Sequence, residues 1–314
     1  MRAIAVSKLG ATPELMDLPK PTPGPGELLV HVAAASINPF DWKIAEGVLN
    51  GVMPHRFPLV LGIDAAGTVE AVGAGVSRFA VGDHVLGQFL HAPVGTGTYC
   101  ETTTVPETIG VSRIPSAISA RDAAAIPTAG MTALQSIETL GLSKGQSLLV
   151  IGASGGVGSF AVQLAKARGF RVIALARASS VDYVRGLGAT EVVAREEPDA
   201  VDRIRRSHPG GVDGLLDMGS DAQRILTYAS LVRKGGIVAS TVRAAPPEAG
   251  TAGGFRSQNV NLAPSAALLD RLTAEIAMGR VQVPVRATHP LAAGVKVLAE
   301  LRKGGGLGKT VLTL

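Results

Sequence analysis

Between residues 147 and 169 the chain reads SLLVIGASGGVGSFAVQLAKARG. A short apolar run is followed by four glycines within seven positions, and then by apolar residues at helical spacing that end at Gly169. This pattern is a buried strand, a tight loop and a helix in direct succession. The 19 residues 147–165 carry no charge, which meets the length of a membrane span, but glycines interrupt that run at its middle. A strand, a loop and a helix account for the same residues without a membrane.

Aligned on its last glycine, the loop reads A-x-G-x-x-G at Ala153, Gly155 and Gly158. Gly155 lets the backbone approach a pyrophosphate, and Gly158 lets the helix touch the strand. The amides of Ser154, Gly155, Gly156 and Val157 then face the anion at the positive end of the helix. A bare glycine pattern also fits a ligand-free turn, but the second strand ends about 20 residues on, as the dinucleotide fingerprint requires. That strand ends ALARASS, and no acid stands between Gly152 and Asp182 to hold a ribose 2′-hydroxyl. Arg177 takes the place, with Ser179 and Ser180 beside it. A guanidinium with hydroxyl neighbours suits a 2′-phosphate, so NADP(H) is expected rather than NAD. The alternative for Arg177 is an ordinary surface arginine.

The rest of the chain is read around this point. Before residue 120 the segments 2–7, 27–36, 66–73, 82–89 and 98–105 read as strands, with glycine and proline between them and no long helical period. From residue 128 helices (128–141, 157–169, 180–188, 199–208, 222–232) alternate with strands (147–151, 171–176, 191–193, 212–218, 235–240). Such alternation implies a parallel sheet covered on both faces. Residues 243–259 read as a Pro/Gly-rich connection. Helices at 264–278 and 290–303 and a terminal strand at 308–314 follow it.

Composition excludes several classes. The 314 residues suit two domains, and 46% are hydrophobic but only 4% aromatic. The net charge of +5 comes from dispersed lysines and arginines, which reads as a solvated surface and not as a nucleic-acid site. The single Cys100 forbids an internal disulfide and a four-cysteine zinc site, and places the chain in a reducing, cytoplasmic setting. The N-terminal segment has no long apolar run, so a signal peptide is not expected. A second glycine cluster, KGGGLGKT at 303–310, fails as a phosphate loop. Position 303 is lysine, and a strand, not a helix, follows.

The stretches SINPFDWKIAEG (36–47), LGIDAAGTVEAVGAGV (61–76), GDHV (82–85), IPTAGMTALQSI (126–137), the glycine loop, GGVDGLLDMGS (210–220), LVRKGGIVAS (231–240) and GKTVL (308–312) occur in a characteristic order. Together they make the chain resemble the zinc-independent, quinone-oxidoreductase-like or enone-reductase branch of the medium-chain dehydrogenase/reductase superfamily. The resemblance implies an α/β fold. A Rossmann doubly wound parallel sheet over 122–257 would be inserted in a GroES-like, partly open β-barrel domain over 1–121, completed by 258–314. It also implies NADPH-dependent reduction of an activated C=C or a quinone, a small-molecule substrate and a homodimer. An NADPH-binding protein without turnover is the competing expectation.

Zinc relatives of this family carry a cysteine near NPFD and a histidine in the place of Ile63, whereas this chain has Asn38 and Asp41 in the first stretch and Ile63 in the second. No thiolate–imidazole zinc site is expected, and the six histidines show no ligand spacing. The resemblance makes Lys43, in NPFDWK, the candidate donor to the carbonyl oxygen of the acceptor. Quinone-type relatives often carry tyrosines in this stretch and just after it, but Tyr99, Tyr183 and Tyr228 all lie outside it, which favours an enone or enal over a quinone. Asn38 is expected against nicotinamide or substrate, or else as a turn residue before Pro39. Asp41 is expected to hold Lys43 or cap the turn. Thr132 resembles a family residue near the carboxamide. Gly219, Ser240 and Thr241 follow later strand ends, where ligands lie in such sheets. Arg195 follows the third strand and either reaches the 2′-phosphate or stays in solvent.

Overall fold

In the computed structural model, residues 1–245 and 247–314 are described, and the chain divides into two compact units. The first comprises Met1–Ala129, Pro264–Ala277 and Val285–Leu314; the second comprises Gly130–Ala263 and Met278–Pro284. Among the described residues, no helix is long and apolar enough to cross a membrane.

The first unit is a β structure organised by the long strand Glu27–Ser36. Asp64–Val72 pairs with it antiparallel from Leu28↔Val72 to Ser36↔Asp64, and Thr102–Pro106 pairs along its first half. The terminal strand Lys309–Thr313 pairs with its far end, Val311 opposite Ser36. This register brings residues 36–38, Asp64 and Lys309 to one place. A second, four-stranded sheet is made of Glu14–Asp17, Arg2–Val6, His55–Val60 and Val94–Thr96. The core between the strands is aliphatic, with Ile4, Val6, Leu28, Val30, Leu59, Val85 and Leu312 fully buried. Each contributes about 1.5–3 kcal/mol by leaving water.

The second unit holds a six-stranded sheet, all parallel, in the order Glu191–Ala194, Arg171–Ala176, Ser147–Ile151, Val212–Asp217, Val232–Ser240, Arg256–Asn259. Leu149, Ile151, Ile173 and Leu175 form one core with Ala200, Ile204, Ile225 and Ala229 from two helices. The alternate residues Leu148, Val150, Val172 and Ala174 are equally buried, on the side where helix Gly156–Ala167 packs. The doubly wound sheet expected from the alternating pattern is present.

Several elements differ from the sequence reading. The expected connection 243–259 contains a helix, Pro247–Gly253, and the edge strand Arg256–Asn259; residue 246 lies outside the described residues. That strand, RSQN, has no apolar alternation. It is a strand because its neighbour Val232–Ser240 offers it a ladder, a case of tertiary pairing overriding propensity. The strand His55–Val60 contains Pro58, which removes a ladder donor and weakens the sequence signal. The strand expected at 98–105 begins at Thr102; Cys100 makes only an isolated bridge to Ala3.

Candidate functional site

The glycine loop is built as its spacing requires. Strand Ser147–Ile151 ends at Gly152, whose φ of +80° lies in the left-handed region open to glycine. A Cβ on Gly158 would lie 2.2 Å from the Gly152 carbonyl oxygen and 2.7 Å from Ala153 Cα. The helix thus sits on the loop backbone at a distance only glycine permits. Gly155 is the N-cap of helix Gly156–Ala167 and brings no capping side chain. The first-turn amides lack intrahelical acceptors, and Ser154–Val157 are only half-buried. With the helix dipole behind them, the amides of Ser154, Gly156 and Val157 are suited to a diphosphate, while that of Gly155 donates to the Gly152 carbonyl at 3.1 Å.

Arg177 directly follows strand Arg171–Ala176 and is half-exposed; Ser179 is exposed. Arg195 lies beside this strand end, its amide bonded to the Ala176 carbonyl at 2.8 Å, but its guanidinium pairs with Glu196 at 3.1 Å. Glu196 was not anticipated at this place. Its Oε2 accepts from the Ala178 amide at 2.9 Å, and that bond, followed by its Arg195 contact, holds its carboxyl below the usual range. The signal that finds it is strand register, because Ala176 pairs with Ala194.

At the next strand ends Asp217, also missed in the sequence, organises the loops. It is fully buried, accepts from the amides of Gly219 (3.3 Å) and Ser220 (2.9 Å), and takes the Ser240 hydroxyl at 2.8 Å. Ser240 Oγ also accepts from the Val242 and Ala244 amides, so its hydroxyl is used within the chain. The Thr241 amide donates to the Asp217 carbonyl. A Cβ on Gly219 would meet nothing within 4 Å, leaving open space there. Thr132 is buried in helix Pro127–Leu140.

The first unit holds a buried polar cluster where its three strands converge. Lys309 Nζ donates to Asn38 Oδ1 (2.6 Å) and the Ile37 carbonyl (2.8 Å), while Asn38 Nδ2 donates to Asp64 Oδ2 (2.9 Å). Asp64 also accepts from the Thr128 amide and hydroxyl, so it caps the start of helix Pro127–Leu140 with negative charge. Asp41 Oδ2 accepts from the Asn38 amide (2.6 Å) and the Tyr99 hydroxyl (2.5 Å). Asp41 is therefore the turn cap, not a partner of Lys43. Both ends of the Asn38 amide are taken up by Lys309 and Asp64. The Asn38 amide is thus a strut between a cation and an anion.

Burial dominates the titration of this cluster. It pushes the Asp41 carboxyl up to about 7, against the hydrogen bonds from Tyr99 and Asn38; the Asp64 charge adds to the rise and Lys309 opposes it. Burial also raises Asp64, against the Lys309 charge and the Thr128 and Asn38 bonds, and it lowers Lys309, against the two carboxylates. Asp41 Oδ1 has no hydrogen-bond partner among the described residues, so nothing at that oxygen supports the ionised carboxylate. With Asp41 protonated, Lys309 and Asp64 balance.

The sign of the pH dependence follows. The folded chain holds a proton on Asp41 that the unfolded chain releases above 3.8. The associated stability is full below that value and is lost as pH rises towards about 7. Relative to Asp41→Asn, native stability in urea should fall across this window; a pH-independent difference would contradict the assignment.

Lys43, in the last turn of helix Pro39–Ala45, is exposed and forms no ion pair among the described residues. Cys100 is buried and its thiol is pushed up to about 12 by burial, so it is inert. Among the described residues no group of three or more His, Cys, Asp or Glu is placed to hold a metal ion.

Comparison with known proteins agrees with this architecture. Residues 24–116 match the alcohol dehydrogenase GroES-like domain, and residues 156–257 match the zinc-binding dehydrogenase family. The chloroplast envelope quinone oxidoreductase homolog of Arabidopsis thaliana is 40% identical over 124 residues, covering 40% of this chain and only 37% of the relative. A solved NAD-dependent alcohol dehydrogenase is 29% identical with a TM-score of 0.90 over 100% of both chains. A mycobacterial protein solved with NADPH is 26% identical with a TM-score of 0.86, again over 100% of both chains. The chain belongs to the medium-chain dehydrogenase/reductase superfamily, in its quinone-oxidoreductase-like branch.

Proposed function

We propose that the chain is a zinc-independent oxidoreductase that uses NADP(H) to reduce an activated C=C of an enone or enal, or a quinone. The observation that carries this reading is the loop Gly152–Gly158, closed by the Gly158 contact and followed by a strand that ends at Arg177. The likeness to an NADPH-bound mycobacterial protein and to an NAD-dependent enzyme supports a nicotinamide dinucleotide in that loop. The bound coenzyme supplies the hydride. The amides of Ser154, Gly156 and Val157 hold its diphosphate, Gly155 lets the backbone come close to it, Arg177 attracts its 2′-phosphate, and the open space at Gly219 admits the chain of the ligand.

Negative charge develops on the carbonyl oxygen of the acceptor, and Lys43 is the proposed donor to it. The Lys309–Asn38–Asp41 cluster pins the helix that carries Lys43, so Asn38 acts by positioning. The stretch in which zinc relatives bear a cysteine carries Asn38 and Asp41, and the histidine position carries Ile63, so neither thiolate nor imidazole is supplied. Among the described residues the strand Arg256–Asn259 pairs on one side only, an edge that a second copy would cover in a homodimer. A reducing, cytoplasmic setting fits the lone buried thiol.

The test is an acceptor panel of enones, enals and quinones, followed at the nicotinamide absorbance with and without chelator. NADPH oxidation insensitive to chelator is expected. Coenzyme binding without turnover on any acceptor would favour a non-catalytic protein. Lys43→Ala should lower kcat by about 10²–10³-fold while leaving coenzyme affinity within about twofold. An unchanged kcat would remove Lys43 from the chemistry.

A further inference from the structure

Strands Arg171–Ala176 and Glu191–Ala194 run parallel, with Ala176 opposite Ala194, and the Arg195 amide extends the ladder by one bond to the Ala176 carbonyl. This register sets residues 195–196 beside residues 177–178. Glu196 places Oε2 on the Ala178 amide (2.9 Å) and Oε1 on Arg195 Nε (3.1 Å). The neighbouring acid, Glu197, is held by Arg203 (2.8 Å) and the Ala194 amide (3.3 Å), so only Glu196 of this pair reaches the strand end. Two residues on, the Ser180 hydroxyl is buried with no hydrogen-bond partner among the described residues. The end of strand Arg171–Ala176 thus carries one cation from its own sequence and one carboxylate supplied by the strand alongside.

We propose that Glu196 is the coenzyme-discriminating residue of this chain, a carboxylate seated on the Ala178 amide that opposes the 2′-phosphate Arg177 attracts. This rests on the reading that the glycine loop holds a nicotinamide dinucleotide. A ribose 2′-hydroxyl can donate to a carboxylate there, as it does to the acid that usually ends this strand in NAD sites. A 2′-phosphate meets like charge instead, and Glu196 must leave the Ala178 amide before a phosphate oxygen can take it. Arg195 offsets part of the repulsion, because its guanidinium already pairs with the same carboxylate. The absence of an acid in the run 152–181 therefore does not make the site purely cationic. Selectivity is set by Arg177 against Glu196, and the native chain should accept both coenzymes with a modest preference.

The test is calorimetric titration of the full chain and its Glu196→Gln and Glu196→Ala variants with NADPH and with NADH. Glu196 is half-exposed, and both variants should fold with unchanged thermal midpoints. Each should bind NADPH about tenfold more tightly, the effect of removing one like charge beside a phosphate at an exposed site, with NADH unchanged or slightly weaker. The gain should shrink in high salt, because exposed charges are screened. If both coenzymes bind and the ratio of their Kd values stays within twofold of the native ratio, Glu196 has no discriminating role. If the native chain binds neither coenzyme, the dinucleotide reading fails and takes this inference with it.

Discussion

Lys309→Met should destabilise the first unit by about 3–5 kcal/mol, the usual cost of removing one partner from a buried charge pair. Lys309 is 3% exposed, and its ammonium is held by Asn38 Oδ1 and the Ile37 carbonyl. Methionine fills similar volume but leaves both oxygens without a donor and Asp64 without its cation. Asp64 is fully buried and caps helix Pro127–Leu140, so only its Thr128 and Asn38 hydrogen bonds would then support its ionisation against burial. The double variant Lys309→Met/Asp64→Asn should recover part of the loss, because it removes the stranded charge. Urea unfolding monitors both. A loss below about 1 kcal/mol for the single variant would mean that the cluster is not held by charge.

Gly158→Val should be the most damaging change in the glycine loop. The added Cβ would lie 2.2 Å from the Gly152 carbonyl oxygen, 2.7 Å from Ala153 Cα and 2.8 Å from the Ala153 carbonyl carbon. All three are backbone atoms, so no side chain can turn aside. The helix must move off the strand, which costs about 1–3 kcal/mol or more and displaces the amides of 154–157. Coenzyme affinity should fall by at least about 100-fold, since several charge-assisted bonds are lost together. Gly155→Ala is the contrasting case. Its Cβ would meet only the Gly152 oxygen at 3.5 Å, an ordinary contact. Stability should stay within about 0.5 kcal/mol while affinity falls, because the methyl stands where the backbone faces the ligand. Equal stability of the two variants would contradict the close-packing account.

The parts of this molecule legible in the sequence are those with local causes. Strands Ser147–Ile151 and Arg171–Ala176 show as short apolar runs bounded by turn residues, and Glu27–Ser36 as an apolar run of Leu, Val and Ala. The glycine loop was legible because its chemistry lies in consecutive residues. What was not legible depends on register between distant segments. Lys309 lies 271 residues from Asn38 and reaches it only because Val311 pairs with Ser36. Glu196 meets Ala178 for the same kind of reason, so reading along the strand shows Arg177 and misses the acid opposite. Asp217 lies in the stretch 210–220, but nothing in that stretch marks it out, and its role appears only once two strand ends are adjacent. The strand Arg256–Asn259 is polar throughout, and a neighbour's ladder, not its own pattern, makes it a strand.

The most direct measurement is calorimetric titration of the purified, coenzyme-stripped chain with NADPH and, separately, with NADH. Saturable heat corresponding to one site per chain, lost in Gly158→Val, is the predicted result. No heat with either coenzyme would contradict the assignment of the loop after Ile151 as a dinucleotide site, and with it the proposed reaction.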